Sequence, residues 1–159
     1  MGREIERKFL LESQAWRAEV TKKTHIEQGY LTASGVTVRV RLQEDRAFLT
    51  VKGKARGLVR DEYEYPIPIE DAREMLKKLT VHSPVEKYRH LVPAGNGLVW
   101  EIDEYLGDNA PLLTAEIELP APDTEFERPM WLGAEVSGDR RYTNRALSRS
   151  PYSRWKKEH

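Results

Sequence analysis

The sequence predicts an α+β fold that is mainly antiparallel β: an eight-stranded β-barrel, closed or C-shaped, with a few covering helices. Three observations predict it. Residues alternate with period two over most of the chain, the alternating runs are short and bounded by clusters of Gly, Pro, Asn, Asp or Ser, and only two stretches carry a helical pattern. The first run, REIERKFLL at 3–11, alternates charged and apolar residues, and a short helical turn is expected at 13–19. Strands follow at 24–32, 36–43, 46–52 and 57–67. EDAREMLKKL at 70–79 reads as a helix: Asp71 near its start and Lys77 and Lys78 in its last turn suit the helix dipole, and Ala72, Met75, Leu76 and Leu79 form one covering stripe. Strands resume at 84–92, 97–105 and 112–119, and a second helix is expected over 141–148 with Asp139 as its cap. Met130, Trp131 and Leu132 should pack over the outside of the barrel or at a dimer contact, and Trp100 belongs to the outer, apolar set. Tyr30 could border the mouth of the barrel, but just before a turn it reads first as a packing residue. No repeat and no Pro-, Gly- or Ser-rich linker divides the chain, so 1–148 reads as a single domain and the basic stretch 149–159 as a flexible tail.

Composition excludes several classes of function. The 159 residues carry 26 Lys plus Arg and 26 Asp plus Glu, a net charge of zero, which offers no bulk attraction to nucleic acid. The absence of Cys rules out disulfides, thiolate zinc sites and cysteine nucleophiles. The four His residues, 25, 82, 90 and 159, show no metal-ligand spacing. Charges at positions 3, 4, 6, 7 and 8 leave no apolar signal-peptide core, and no later run approaches the roughly 18 apolar residues of a membrane span. A cytoplasmic protein without membrane or nucleic-acid partners is the expectation.

The charged fraction is high, 33% against a usual value of about 25%, and its placement is the informative feature. Charged residues recur at i and i+2, so each pair projects from one face of its strand. The series is Glu4, Glu6 and Lys8; Arg39 and Arg41; Lys52; Arg60, Glu62 and Glu64; Lys87 and Arg89; Glu101 and Asp103; Glu116 and Glu118. One reading is a solvated outer face with cross-strand ion pairs. Several pairs are of like charge, however, which is unfavourable unless something of opposite sign sits between them. If the charged face lines the barrel instead, the apolar face must be covered from outside and the interior needs a highly charged ligand. Carboxylates without His or Cys suit hard cations such as Mg²⁺ or Mn²⁺, while Arg and Lys suit phosphate oxygens. Both sets in one cavity describe a metal and polyphosphate site.

The Glu-x-Glu-x-Lys of EIERKF (Glu4, Glu6, Lys8), the Arg-x-Arg of VRVRL (Arg39, Arg41) and the Glu-x-Glu of AEIEL (Glu116, Glu118) resemble the CYTH domain family, the triphosphate tunnel metalloenzymes. That family includes bacterial inorganic triphosphatases, class IV adenylyl cyclases, thiamine triphosphatase and fungal RNA triphosphatases. The resemblance runs from Glu4 to about Leu147. It implies that Glu4, Glu6, Glu116 and Glu118 bind metal, and that Glu62, Glu64, Glu101 and Asp103 complete the wall or hold a second ion. It further implies that Lys8, Arg39, Arg41, Lys52, Arg60, Lys87 and Arg89 bind the phosphates, with Arg141 of DRRYTNRALS expected to reach the ligand. Glu4, Glu6, Lys8, Lys52 and Lys87 are the expected catalytic set.

The activity this resemblance implies is Mg²⁺- or Mn²⁺-dependent hydrolysis of tripolyphosphate to pyrophosphate and phosphate. A short chain that begins EIERKFL and lacks a recognisable nucleobase pocket resembles the small bacterial inorganic triphosphatases more than the cyclases. Alternatives are a class IV adenylyl cyclase, a nucleoside or thiamine triphosphatase, a non-catalytic polyphosphate or nucleotide binder, and a barrel filled by structural ion pairs. The expected partner is a triphosphate-containing small molecule; a homodimer is compatible with the family.

Overall fold

The structure, a computed structural model, describes residues 2–158. All eight expected strands are present: β1 (Gly2–Leu11), β2 (Lys22–Tyr30), β3 (Thr37–Gln43), β4 (Arg46–Lys52), β5 (Val59–Pro66), β6 (Val85–Gly95), β7 (Leu98–Tyr105) and β8 (Leu113–Glu118). They run antiparallel in the order β5-β4-β3-β2-β6-β7-β8-β1. The barrel closes where β1 returns to β5, with Gly2 opposite Glu62 and Ile5 opposite Val59. The other edge of β1 pairs β8, placing Glu6 opposite Glu118 and Lys8 opposite Glu116. β5 covers only the first half of its edge of β1. A ninth strand, β9 (Leu132–Glu135), takes the rest, with Leu132 opposite Leu11, so no β1 edge is left open to pair with another chain.

The barrel is inside out because alternation sends the charged residues inward. Outside, Ile5, Phe9, Trp100, Ile102, Ala115 and Ile117 form a buried layer, covered by Trp16 of a 3-10 turn (Ala15–Glu19) and by Trp131. Phe9, Trp100, Phe126 and Trp131 meet edge to face at 5.6–6.0 Å between centroids, a geometry that adds about 0.5–1.5 kcal/mol per pair beyond area burial. Met130, expected in the same covering layer, instead points to solvent at 98% exposure, because the chain alternates and Trp131 takes the inward position. Helix α1 (Ile69–Lys78) lays Ala72 and Leu76 on Val40 and Ala47. Leu79 lies past its last turn and is 56% exposed, so it drops out of the expected stripe.

The C-terminal segment closes one mouth. A 3-10 turn, Arg140–Tyr142, is capped by Asp139, which accepts from the Arg141 N–H. Thr143 is extended and caps helix α2 (Asn144–Arg149) by accepting from the Ala146 N–H, which splits the expected 141–148 helix in two. Leu147 and Trp155 then pack on Val85, Tyr105 and Leu112, with Leu10 at the edge of the cluster. Val85, Tyr105 and Leu10 are in phase with Lys87, Asp103 and Lys8, so this apolar cluster plugs the interior at that end. In the stretch expected as a tail, Tyr152–Glu158 forms a 3-10 turn and Trp155 is buried; His159 lies outside the described residues. Among the described residues no helix is long and apolar enough to cross a membrane.

Candidate active site

The barrel wall holds its charges in interlocking groups. At the plugged, dry side, Asp103 accepts from Lys87 Nζ at 2.7 Å and from Arg89 Nε and Nη2 at 2.8 and 3.0 Å. Lys87 and Asp103 are both 0% exposed. Lys87 also donates to Asn144 Oδ1 (3.0 Å), which accepts from the Tyr105 hydroxyl as well. Lys8 Nζ donates to the Tyr142 carbonyl (2.8 Å) and lies 3.9 Å from Glu116. On the adjoining strands β2 and β3, Arg41 Nε donates to Gln28, whose amide donates to the Tyr30 hydroxyl. Tyr30 is therefore a polar member of the inner wall and not merely a packing residue. Lys52 Nζ bridges Glu4 (2.7 Å) and Glu62 (3.4 Å), and Arg39 reaches Thr50 and Glu64.

Exposure along the inner wall is uneven, and acids lie on both sides of it: Glu4, Glu116 and Asp103 are buried. Glu64 and Glu101 are each 40% exposed and Glu118 is exposed, whereas Arg39, Lys52 and Lys87 are buried. A polyanion entering the open mouth therefore meets carboxylates as well as cations, which demands neutralisation of the carboxylates.

Titration behaviour follows from crowding. Burial, and then the neighbouring Glu116 and Glu4, push Glu6 well above the usual carboxylate range. Burial also raises Glu62, and burial with Glu4 drives Glu118 up to about 7. Glu4 goes down, because Lys52 outweighs the effect of burial, and Glu116 goes down to about 2, because Lys8 does the same. Glu6 and Glu116 share a hydrogen bond, as do Glu4 and Glu62. In each pair the like-charged neighbour opposes ionisation of one member, a repulsion that a bound cation would relieve. Burial lowers Lys87 to about 7, with Arg89 and Arg41 adding to the effect against Asp103. Burial next to Arg39 and Arg89 pushes Arg41 down too, yet its guanidinium stays charged at neutral pH.

The oxygen-only donor set fits a hard divalent cation, although among the described residues no three His, Asp or Glu side chains are arranged to hold one. Glu4, Glu6, Glu62, Glu116 and Glu118 lie together on the inner wall, each close enough to another to shift its titration. Asp103, foreseen as a metal ligand, is a diagonal neighbour of Glu116 across the β7–β8 pairing but is engaged by bases. Three of its roughly four lone-pair sites are taken by Lys87 and Arg89, so it is the counter-ion of the buried bases. Arg141, foreseen at the ligand, instead binds Asp139 at 2.6–3.2 Å and lies over the Trp155 ring. The arginine of that segment which reaches the inner wall is Arg145, bonded to Thr37 and Thr32. Arg60 meets it there, donating to Thr37 and to the Gly53 carbonyl. Arg145, Asn144 and Gln28 carried no signal in the alternation: the first two sit on a helix, and Gln28 is neutral.

Comparison with known proteins agrees with this geometry. The CYTH domain family profile matches residues 2–144. The chain is 43% identical over 157 residues to an inorganic triphosphatase of Acetivibrio thermocellus, covering 98% of this chain and 99% of that one. It is 36% identical over 151 residues to an inorganic triphosphatase of Nitrosomonas europaea, covering 92% and 97%. Among solved structures, the crystal structure of the inorganic triphosphatase NE1496 superposes with a TM-score of 0.66 at 34% identity, covering 94% of this chain and 97% of that one. The PH1012 protein of Pyrococcus horikoshii shares the fold, with a TM-score of 0.60 at 21% identity over 76% of this chain and 81% of that one.

Proposed function

The chain belongs to the CYTH domain family, and from that membership and the geometry of its inner wall we propose that it hydrolyses inorganic triphosphate to pyrophosphate and phosphate. The observation that carries the proposal is one inner wall that holds a cluster of carboxylates, Glu4, Glu6, Glu62, Glu116 and Glu118, beside the buried cations Arg39, Lys52 and Lys87. The two full-length relatives named inorganic triphosphatases supply the substrate class.

Family membership implies a divalent cation. We assign it to Glu4, Glu6, Glu62, Glu116 and Glu118, and of the candidate ions Mg²⁺ or Mn²⁺ suits this all-oxygen set best. When bound, it supplies neutralisation of phosphate charge and a site at which water is oriented for in-line attack. The protein's own residues do the rest. Arg39, Arg41 and Arg89 offer planar forks to the equatorial oxygens, and Lys8 and Lys52 offer point charges. Asp103 keeps Lys87 and Arg89 rigidly placed, so their charge meets the developing negative charge with little reorganisation. Glu118, raised to about 7, can take a proton near neutral pH.

The test is initial-rate phosphate release from tripolyphosphate, ATP, thiamine triphosphate and pyrophosphate, with Mg²⁺ or Mn²⁺ and with EDTA. Tripolyphosphate should be preferred and EDTA should stop the reaction. Preference for ATP, with or without cyclic AMP as product, would overturn the assignment of substrate.

A further inference from the structure

Five of the inner-wall bases have a carboxylate partner: Lys8, Arg39, Lys52, Lys87 and Arg89. Arg41 has none and donates to Gln28 instead, and at the plugged end two arginines meet without one. Thr37 Oγ1, 4% exposed and in phase with Arg39, accepts from both Arg60 Nη2 (2.8 Å) and Arg145 Nη1 (2.9 Å). The other partners of these two guanidiniums are the Gly53 and Gly35 carbonyls and the Thr32 hydroxyl, all neutral. Arg145 Nε is buried with no partner. Among the described residues no ion pair within 4 Å includes either arginine.

Two guanidiniums that converge on one hydroxyl without an anion repel each other, and burial and Arg60 together push Arg145 down. An oxyanion between them would supply the missing charge and accept from the unused Nε. The place is contiguous with the wall already described. Thr37 lies opposite Lys52 in register and two residues, roughly 7 Å, along β3 from Arg39.

We propose that Arg60, Arg145 and Thr37 form a phosphate-oxyanion subsite at the plugged end, which takes the terminal phosphoryl group of a chain held by Lys52 and Arg39. The proposal rests on the hydrolytic reading above for its natural ligand, but the anion subsite itself needs no metal and no turnover.

The experiment is calorimetric titration of pyrophosphate into the full chain in EDTA, with Arg145→Ala and Arg145→Lys as variants. Thermal melts of each are recorded with and without pyrophosphate. Loss of an arginine fork should weaken binding at least tenfold in Arg145→Ala, and Arg145→Lys should fall between that variant and wild type. The melting temperature without ligand should not fall in Arg145→Ala, since a repulsion is relieved, while the gain on adding pyrophosphate should shrink. With tripolyphosphate and Mg²⁺, KM should rise at least tenfold with kcat within threefold. Equal pyrophosphate affinity in wild type and Arg145→Lys or Arg145→Ala overturns the subsite, as does a lower melting temperature without ligand combined with an unchanged gain. Arg145-dependent pyrophosphate binding in a wild-type chain that releases no phosphate from tripolyphosphate would overturn the hydrolytic reading and leave the subsite standing.

Discussion

Replacing Asp103 by Asn separates the two roles that a buried carboxylate could play in this cavity. Asp103 neutralises Lys87 and Arg89 through three hydrogen bonds of 2.7–3.0 Å. In Asp103→Asn, Arg89 keeps its 3.5 Å contact to Glu101, but Lys87, fully buried, keeps only the neutral Asn144 at 3.0 Å. Removing one partner of a buried ion pair costs about 3–5 kcal/mol. Lys87 can relieve part of this by shedding its proton, because its pKa is already drawn down to about 7, so the low end, about 3 kcal/mol, applies. At roughly 2–4 °C per kcal/mol for a chain of this size, the loss is roughly 6–12 °C in melting temperature. Differential scanning fluorimetry at pH 7 in EDTA reads it directly. Pyrophosphate, which supplies the missing negative charge, should narrow the gap. A melting temperature within 2 °C of wild type, together with lost affinity for Mn²⁺, would refute the counter-ion account and make Asp103 a metal ligand.

Further outcomes follow from the same structure. Glu6 and Glu118 have folded pKa values raised above 4.5, so their contribution to stability is complete below that value and is lost as pH rises through about 7 for Glu118. The melting temperature in EDTA should therefore fall from pH 5 to pH 8, by an amount damped at Glu118 by its exposure. Saturating Mg²⁺ or Mn²⁺ should remove the decline and Glu118→Gln should flatten it; a slope unaffected by either contradicts the carboxylate clustering. Lys8→Ala removes a cation from the wall, and kcat/KM for tripolyphosphate should drop on the order of 10²–10³-fold with the circular dichroism spectrum unchanged; wild-type turnover would remove Lys8 from the site. Gly29→Ala drives a new Cβ into Thr80 Cγ2, at a cost of about 1–3 kcal/mol. Thr80→Ser in the same chain deletes the struck methyl and should restore most of the loss in denaturant melts, whereas additive losses would show that the clash is not the cause.

The barrel was legible because alternation is a local property: Glu4, Glu6 and Lys8 share a face whatever the rest of the chain does. The charged face was also legible as the inner one, since like-charged pairs needed a ligand of opposite sign. What alternation could not supply is where the inner face stops being polar. Leu10, Val85 and Tyr105 continue the inward phase of Lys8, Lys87 and Asp103, yet they build an apolar plug with Leu147 and Trp155. Nor could it place β9, four residues long, whose pairing with β1 depends on where β5 ends. The same limit explains the exchange of Arg141 for Arg145. Which arginine of DRRYTNRALS faces inward depends on Thr143 breaking the helix, a tertiary outcome of capping. Asp103 shows a related limit: its phase put it on the inner wall, but only three-dimensional pairing reveals its ion pairs with Lys87 and Arg89.

The most direct test of the account is a ³¹P NMR time course of tripolyphosphate with the full chain and Mg²⁺. The account predicts orthophosphate and pyrophosphate appearing in equal amounts, with no release after EDTA addition and a strongly reduced rate in Lys52→Ala. Undiminished tripolyphosphate with active Mg²⁺ present, or wild-type turnover in Lys52→Ala, would contradict it.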